Sequence, residues 1–161
     1  MNGPRLAAAF ACVLAVGCGE DADVAGAYTI TVTNRDNGCE FANWTVGNTA
    51  AGIPVSITQD GARVTATVEG GVGALLTLSL GANVYTGDVD GDALALTLYG
   101  TRSQSRGNCT FTNNSTLRAT LDGDTLVGRI DYTTATNGNP DCAPVEGCVT
   151  FQDFNGTRPP R

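Results

Sequence analysis

The sequence contains no histidine and no lysine, so all 9 of its basic side chains are arginines. Without histidine the chain cannot assemble a Ser-His or Cys-His nucleophile, or a histidine-based zinc site. Its formal net charge of -7 argues against a nucleic-acid partner and against electrostatic docking on anionic lipid. We therefore expect a non-enzymatic protein without a cofactor.

The acidic residues do not group into a recognisable metal or catalytic site. Asp88, Asp90 and Asp92 lie close together, but an EF-hand loop needs a glycine at its sixth place and a glutamate at its twelfth. Here Gly91 stands at the fourth place and Tyr99 where the glutamate belongs. We interpret the three aspartates as a charged hairpin tip and expect no bound metal.

An apolar run near the N-terminus follows the single positive charge of Arg5 and extends from Leu6 to Gly17. As a helix this run would span about 18 Å, which is too short for a hydrocarbon core of about 30 Å. Its length suits the apolar region of a signal peptide, and the small Gly17 suits a cleavage site. We predict a signal peptide over residues 1–17.

The segment Leu14-Ala15-Val16-Gly17-Cys18 resembles the lipobox of bacterial lipoproteins. In that family the cysteine is fatty-acylated and the chain is cleaved just before it. The resemblance implies lipid attachment at Cys18 and anchoring in the bacterial cell envelope. Because Gly19 rather than aspartate follows the cysteine, it also favours the outer membrane. The open alternative is an ordinary secretory signal with Cys18 as part of the fold.

The number of cysteines agrees with a lipid on Cys18. Cys12 leaves with the signal peptide, so an acylated Cys18 leaves four cysteines, which suit two disulfides in an oxidising compartment. Pro144 and Gly147 can bend the short loop between Cys142 and Cys148. We expect the pairs Cys142–Cys148 and Cys39–Cys109, and the other two connectivities remain open.

From Tyr28 onward, apolar and polar residues alternate almost without a break. Clear examples are 28–33, 64–68 and 94–99, and Leu76, Leu78 and Leu80 follow the same pattern. Such alternation indicates strands with one buried face. No window of eleven residues after the signal peptide shows a convincing helical stripe.

Turn dipeptides separate the predicted strands. Asn37-Gly38, Asp60-Gly61, Asp90-Gly91 and Asp122-Gly123 can occupy the two central positions of type I′ turns, which join antiparallel strands. The sequence therefore predicts an all-β, antiparallel up-and-down meander of eight to ten strands. Because an open meander leaves exposed edges, we expect a small closed or nearly closed barrel, with a β-sandwich as the alternative.

Two distant segments resemble the lipocalins and related β-barrels. These proteins have a Gly-x-Trp on the first strand and a late arginine that packs over the indole. Gly26-Ala27-Tyr28 and Arg158 are similar, with tyrosine in place of tryptophan. The resemblance implies that Arg158 closes the barrel over Tyr28, a contact worth about 0.5–2 kcal/mol.

We divide the chain into a signal peptide (1–17), a lipidated cysteine with a flexible tether (18–26) and a single β-barrel domain (27–161). The first functional hypothesis is a barrel that binds a small apolar ligand or a protein partner. The alternatives are a structural or surface-coat lipoprotein without a ligand, and an inhibitor of a secreted enzyme. A carrier of drug-sized ligands needs a cavity of about 300 Å³ or more. Trp44 is expected to fill the core or the barrel mouth.

Overall fold

The computed structural model describes residues 20–160, so the predicted signal peptide and Cys18 lie outside the described residues. The elements in chain order are β1 (Gly26–Asn37), β2 (Thr49–Asp60), β3 (Arg63–Val68), α1 (Gly70–Leu80), β4 (Val84–Asp90), β5 (Ala93–Leu98), β6 (Gln104–Arg106), β7 (Cys109–Asp122), β8 (Thr125–Thr136), a 3-10 helix (Pro140–Cys142) and β9 (Val149–Thr157).

Eight of the strands form a closed antiparallel barrel. Strand β1 pairs with both β2 and β9, and β5 pairs with β7, so the first and last strands meet and the ring closes. The short β6 pairs with the first residues of β7, outside the closed ring. The predicted all-β meander, closed as a small barrel, is confirmed.

The alternating pattern places the apolar residues of most strands inside the barrel. On β3 the inward residues are Val64, Ala66 and Val68, and on β5 they are Leu94, Leu96 and Leu98; all six are buried. The threonines between them lie on the outer, wetter face. Hydrophobic burial from all sides of the ring therefore forms one continuous core.

Three tight hairpins form where the Asp-Gly dipeptides stand, but one residue away from the predicted position. Each aspartate is the last residue of its strand, and the two loop residues begin with the glycine. Gly61, Gly91 and Gly123 have φ of 58°, 59° and 58°, while the second loop residue has no positive φ. This combination is typical of type II′ turns, so the type I′ prediction is wrong. Asn37-Gly38 opens a longer loop, residues 38–48.

The strand predicted around Leu76, Leu78 and Leu80 is wrong, because this segment is helix α1. Strand β3 pairs directly with β4, which leaves the intervening residues without a neighbouring strand at the end of the barrel. A helix satisfies their backbone groups internally. It turns Leu76 and Leu80 toward the barrel and leaves Leu75 and Leu78 63% and 61% exposed. Within the described residues, no helix is long and apolar enough to cross a bilayer.

The flexible tether predicted over residues 18–26 is wrong for its described part. Val24 is completely buried, and its N–H donates to Gln59 Oε1 over 2.8 Å. The Tyr28 hydroxyl donates to the Val24 carbonyl over 3.0 Å, and the Ala22 N–H donates to the Gly91 carbonyl over 2.7 Å. The chain before β1 therefore packs across one end of the barrel.

Candidate functional site

The two ends of the barrel differ in construction. One end, called here the closed end, carries the three tight turns and the packed segment before β1. The other, called the open end, carries the 38–48 loop, α1, the β5–β7 connection with β6, and the connection from β8 to β9. Long connections at one end of a rigid barrel commonly carry function.

An apolar cavity, called here the inner cavity, lies inside the barrel and measures about 200 Å³. Its walls are almost wholly aliphatic or aromatic and include Ile30, Ile53, Leu96, Ile130 and Phe154. This volume is below the roughly 300 Å³ of a drug-sized site, but above the about 150 Å³ in which an engineered apolar cavity holds benzene. The cavity therefore suits a small apolar molecule.

The polar side chains that line the inner cavity, Tyr85, Tyr132 and Gln152, each have a hydrogen-bond partner within the protein. The Tyr85 hydroxyl and Ser115 Oγ are 2.8 Å apart, and the Tyr132 hydroxyl donates to Gln152 Oε1 over 2.9 Å. Gln152 Nε2 in turn donates to Asn34 Oδ1 over 2.7 Å. These internal pairs leave the walls of the cavity effectively apolar.

Burial changes the titration of the two interior tyrosines. It raises the pKa of Tyr85 to about 12, against a smaller opposing effect of the hydrogen bond with Ser115. Burial also raises the pKa of Tyr132 well above its ordinary value, with repulsion from an ionised Tyr85 adding to it. Both hydroxyls stay protonated in the folded barrel at a pH where an unfolded tyrosine ionises.

We expect the stability of the protein to fall as the pH rises from about 10 to about 12. Below pH 10 both states keep the tyrosine protons and stability is complete; above it the unfolded chain loses protons that the folded chain retains. For Tyr85 this loss is on the order of 3 kcal/mol over the whole window, about half of it by pH 11, and the lack of lysine removes the other side chain that titrates there. Urea unfolding at pH 9 and pH 11 measures it. Tyr85→Phe should reduce the fall, and an unchanged fall in that variant would contradict the assignment.

A second, wider chamber of about 450 Å³ lies at the open end and is called here the outer chamber. It shares Leu76 and Tyr132 with the inner cavity, so these two side chains stand between the two spaces. Phe41, Trp44 and Tyr132 meet edge to face, with each pair of ring centroids 6.1 Å apart. Trp44 thus lies at the barrel mouth, where the sequence predicts it.

The 38–48 loop that carries Phe41 and Trp44 is fixed by local hydrogen bonds. The Asn37 side chain accepts from the Phe41 N–H over 2.8 Å and donates to the Phe41 carbonyl over 3.0 Å. Trp44 Nε1 donates to the Arg35 carbonyl over 2.7 Å. Glu40 and Asn43 have φ of 55° and 61°, a conformation that is uncommon without glycine and recurs at functional sites.

The four cysteines form two disulfides, as predicted, but the predicted pairing is wrong. The bonds are Cys39–Cys148 and Cys109–Cys142, and not Cys39–Cys109 and Cys142–Cys148. The register of β1 with β9 pairs Asn37 with Thr150, which brings the residues just beyond them together. The start of β7 packs against the 3-10 helix that contains Cys142. Strand pairing rather than nearness in sequence therefore sets the connectivity, and both bonds fasten the open end.

One buried polar atom of the outer chamber lacks a partner. Asn113 on β7 is 8% exposed and lines the chamber, opposite Thr134 of β8. Its Oδ1 is the one buried side-chain nitrogen or oxygen atom of residues 20–160 that makes no hydrogen bond. An unsatisfied buried acceptor costs about 1–3 kcal/mol.

The closed end holds the pair predicted from the lipocalin resemblance. The guanidinium carbon of Arg158 lies 5.6 Å from the centre of the Tyr28 ring. Arg158 also makes an ion pair with Asp124, Nε to Oδ1, at 2.9 Å. The structure thus brings Tyr28 and Arg158 together at the floor of the barrel.

The aspartates of the β4–β5 hairpin do not form part of a larger cluster. In the described part of the chain, no three His, Cys, Asp or Glu side chains come together in a group that could hold a metal ion. The chamber residues, in contrast, come from distant parts of the sequence. Besides Trp44, the polar residue at an inward position of β7, Asn113, is a signal in the sequence that could have marked the chamber.

No protein-family model, curated protein or solved structure matches this chain. The candidate site is therefore interpreted from its own geometry.

Proposed function

We propose that the protein is a non-enzymatic lipoprotein of the bacterial envelope, anchored through Cys18 in the outer membrane, whose barrel binds a small apolar ligand. The observation that carries this proposal is the inner cavity of about 200 Å³, with its apolar walls and internally paired polar groups. The outer chamber, shared at Leu76 and Tyr132, supplies a route from the open end.

The position of the chain start supports a particular orientation of such a barrel. Asp21 Oδ1 accepts from the Gly91 N–H over 3.1 Å, so the chain is held against the closed end from Asp21 onward. Cys18 stands three residues before it in the sequence, a reach of at most about 11 Å. A lipid on Cys18 would hold the closed end at the membrane, and the open end would face the aqueous side.

Ligand binding is tested on the protein purified from its own host by native mass spectrometry. We expect a co-purified mass beyond that of the protein and its lipid, and release of that mass on unfolding. If the barrel carries no additional mass and takes up no small apolar molecule when titrated, ligand binding is contradicted. The hypothesis of a surface-coat lipoprotein without a ligand would then remain.

The lipid anchor is tested by Cys18→Ser. We expect the variant to lose fatty acylation and to lack cleavage before residue 18, because the modified thiol is what the lipoprotein peptidase requires. Membrane fractionation and intact mass measure both effects, with Cys12→Ser as the matched control that keeps normal processing. A Cys18→Ser protein that is still membrane-bound and normally cleaved contradicts the anchor.

Protein binding at the open end is the second candidate. Helix α1 exposes Leu75 and Leu78 to 63% and 61%, and large apolar side chains on a surface favour contact with another protein. In this case native mass spectrometry would find a second polypeptide rather than a small molecule.

A further inference from the structure

Building on the proposed ligand binding, we propose that the ligand is an uncharged apolar molecule with a carbonyl group near one end, such as a medium-chain ketone or ester. Its hydrocarbon part occupies the inner cavity. Its carbonyl oxygen lies in the outer chamber, where Asn113 Nδ2 donates a hydrogen bond to it. Asn113 is thus the residue that selects this class of ligand.

Strand β7 runs along both spaces and sets the length of the ligand. Asn113 lines the outer chamber, the fully buried Ser115 follows at the next inward position, and Leu117 lines the inner cavity. Four residues of a strand cover about 13 Å, so one elongated molecule can extend from Asn113 to Leu117. The polar side chains of the inner cavity already have partners, so the polar end of the molecule belongs in the outer chamber.

The amide of Asn113 presents a donor to the outer chamber. Its Oδ1 is buried and cannot be reached by a bound molecule. Its Nδ2 is not buried, and it makes no hydrogen bond within residues 20–160. Because Asn113 lines the chamber, the accessible atom of its amide is a nitrogen with N–H groups to donate. A ligand atom beside this nitrogen must therefore be an acceptor.

The other donors of the chamber are either in use or exposed to water. The hydroxyl groups of Ser79, Tyr132 and Thr134 each donate to an acceptor of the protein. Gln104 also lines the chamber, but its side chain is exposed to solvent. Among the residues that line the chamber, Asn113 is therefore the buried one that offers a donor to a ligand.

The surroundings of Asn113 disfavour a charged group. Glu40 is the one charged residue that lines the chamber, and it is exposed, so water and salt screen its attraction for an amine. A protonated amine would also direct its own N–H groups at the donor of Asn113. A carboxylate could accept from Nδ2, but it would lose the hydration of a full charge without a cation to pair with.

A carbonyl suits the site better than a hydroxyl group. Both can accept from Asn113 Nδ2, but a hydroxyl group brings a hydrogen of its own, which needs a further acceptor once it leaves water. A carbonyl has no hydrogen to satisfy. The rings of Phe41 and Trp44 line the chamber and reduce its contact with water, which strengthens a hydrogen bond formed there.

Four probes of equal chain length separate these cases: octan-2-one, octan-2-ol, octan-2-amine and octanoate. Titration calorimetry on the protein with its disulfides intact measures affinity, and the fluorescence of Trp44, the only tryptophan, reports binding at the mouth. We expect the ketone to bind about fivefold more tightly than the alcohol, and the amine and octanoate to bind more weakly still.

Infrared spectroscopy of the bound ketone tests the hydrogen bond itself, with an isotope label at the carbonyl carbon to identify its band. We expect a lower C=O stretching frequency in the barrel than in an alkane solvent, because a hydrogen bond weakens the C=O bond.

The variant Asn113→Leu removes the donor. It should return the C=O frequency of the bound ketone to the alkane value and abolish the preference for the ketone. It should not lower the melting temperature, because a buried acceptor without a partner is replaced by an apolar group of similar shape. Asn155→Leu, the same change at an exposed position of β9, is the matched control and should keep both the frequency and the preference.

The outcomes distinguish this inference from the proposed function. If the four probes bind equally well, or if another probe binds more tightly than the ketone, the barrel binds apolar ligands but the carbonyl assignment is overturned. A frequency at the alkane value in the wild type, or an unchanged frequency in Asn113→Leu, overturns the role of Asn113. If that variant does not fold, the frequency in the wild type and the order of the probes decide. If no probe binds, the inner cavity does not accept ligands and both proposals fall.

Discussion

Replacing Cys39 and Cys148 together by serine is expected to lower the free energy of unfolding by about 5 kcal/mol. The bond joins residues 109 positions apart, and closing so long a loop removes much conformational freedom from the unfolded chain. Cys109–Cys142 spans only 33 positions and is expected to contribute about 4 kcal/mol. A loss of this size is a large fraction of the free energy of unfolding of a typical domain, which is roughly 5–15 kcal/mol.

The double variant should also lose the order of the outer chamber. Cys39 is held in two ways. Its backbone N–H donates to Thr150 Oγ1 over 2.9 Å, and its side chain forms the disulfide with Cys148. Without the disulfide, the loop with Phe41 and Trp44 loses its covalent link to Cys148 and is held only by hydrogen bonds, such as those to Asn37 and Arg35. Ligand binding at the mouth should weaken together with stability.

Urea unfolding monitored by circular dichroism measures the stability of both double variants. The Cys109→Ser/Cys142→Ser protein is the matched control, because it removes a disulfide from the same end of the barrel with a shorter loop. Peptide mapping of the unreduced wild type checks the connectivity directly. Recovery of a Cys142–Cys148 peptide would contradict the connectivity, and a larger loss in the control than in the Cys39/Cys148 variant would contradict the expected dependence on loop length.

The barrel could be predicted because the sequence patterns that indicate its strands and turns each lie within a short segment of the chain. The alternation on β3 and β5 and the Asp-Gly pairs between strands act over two to six residues, and each of these segments folds as its own pattern indicates. Helix α1 has the same alternation but no strand beside it, so its neighbours in space decide its structure. A period-two pattern of leucines cannot reveal that a pairing partner is missing.

The site could be predicted only in part, because its contacts are distant in sequence. The contact between Tyr28 and Arg158 could be predicted, because the resemblance to lipocalins links the first strand with the end of the chain. The disulfide pairs depend on the register of β1 with β9, which spacing between cysteines does not encode. The outer chamber combines residues from the 38–48 loop, α1, β6, β7 and β8, so its assembly depends on contacts that no single segment determines.

Arg158→Leu is expected to lower the free energy of unfolding by about 3 kcal/mol, because it removes a buried guanidinium together with its ion pair and its hydrogen bonds to two carbonyls. The Arg158 side chain is 7% exposed and pairs with Asp124 at 2.9 Å. Its Nη1 also donates to the carbonyls of Asp23 and Ala25 over 2.8 and 2.7 Å, and its guanidinium lies over Tyr28. One side chain thus ties the chain start, β1 and the β7–β8 turn together.

Two further variants separate the charge of Arg158 from the geometry of its guanidinium. Arg158→Lys keeps the charge but lacks the planar group that reaches Asp124 and two carbonyls at once, so an intermediate loss is expected. Asp124→Asn should cost the least, because Asp124 is 35% exposed and Arg158 keeps its bonds to the two carbonyls. Urea unfolding measures the loss of stability in Arg158→Leu, Arg158→Lys and Asp124→Asn and so gives their order.

Limited proteolysis then shows where the loss occurs. In Arg158→Leu the segment before β1 should be cut faster than in the wild type, because its carbonyls lose the donors that hold them to the barrel floor. In a lipid-anchored protein this release would convert the short connection to Cys18 into a longer tether. Equal cutting rates with equal stability would mean that the burial of Val24 and the hydrogen bonds of the segment to Gln59 and Gly91 hold it without Arg158, which would then have no part in closing the barrel.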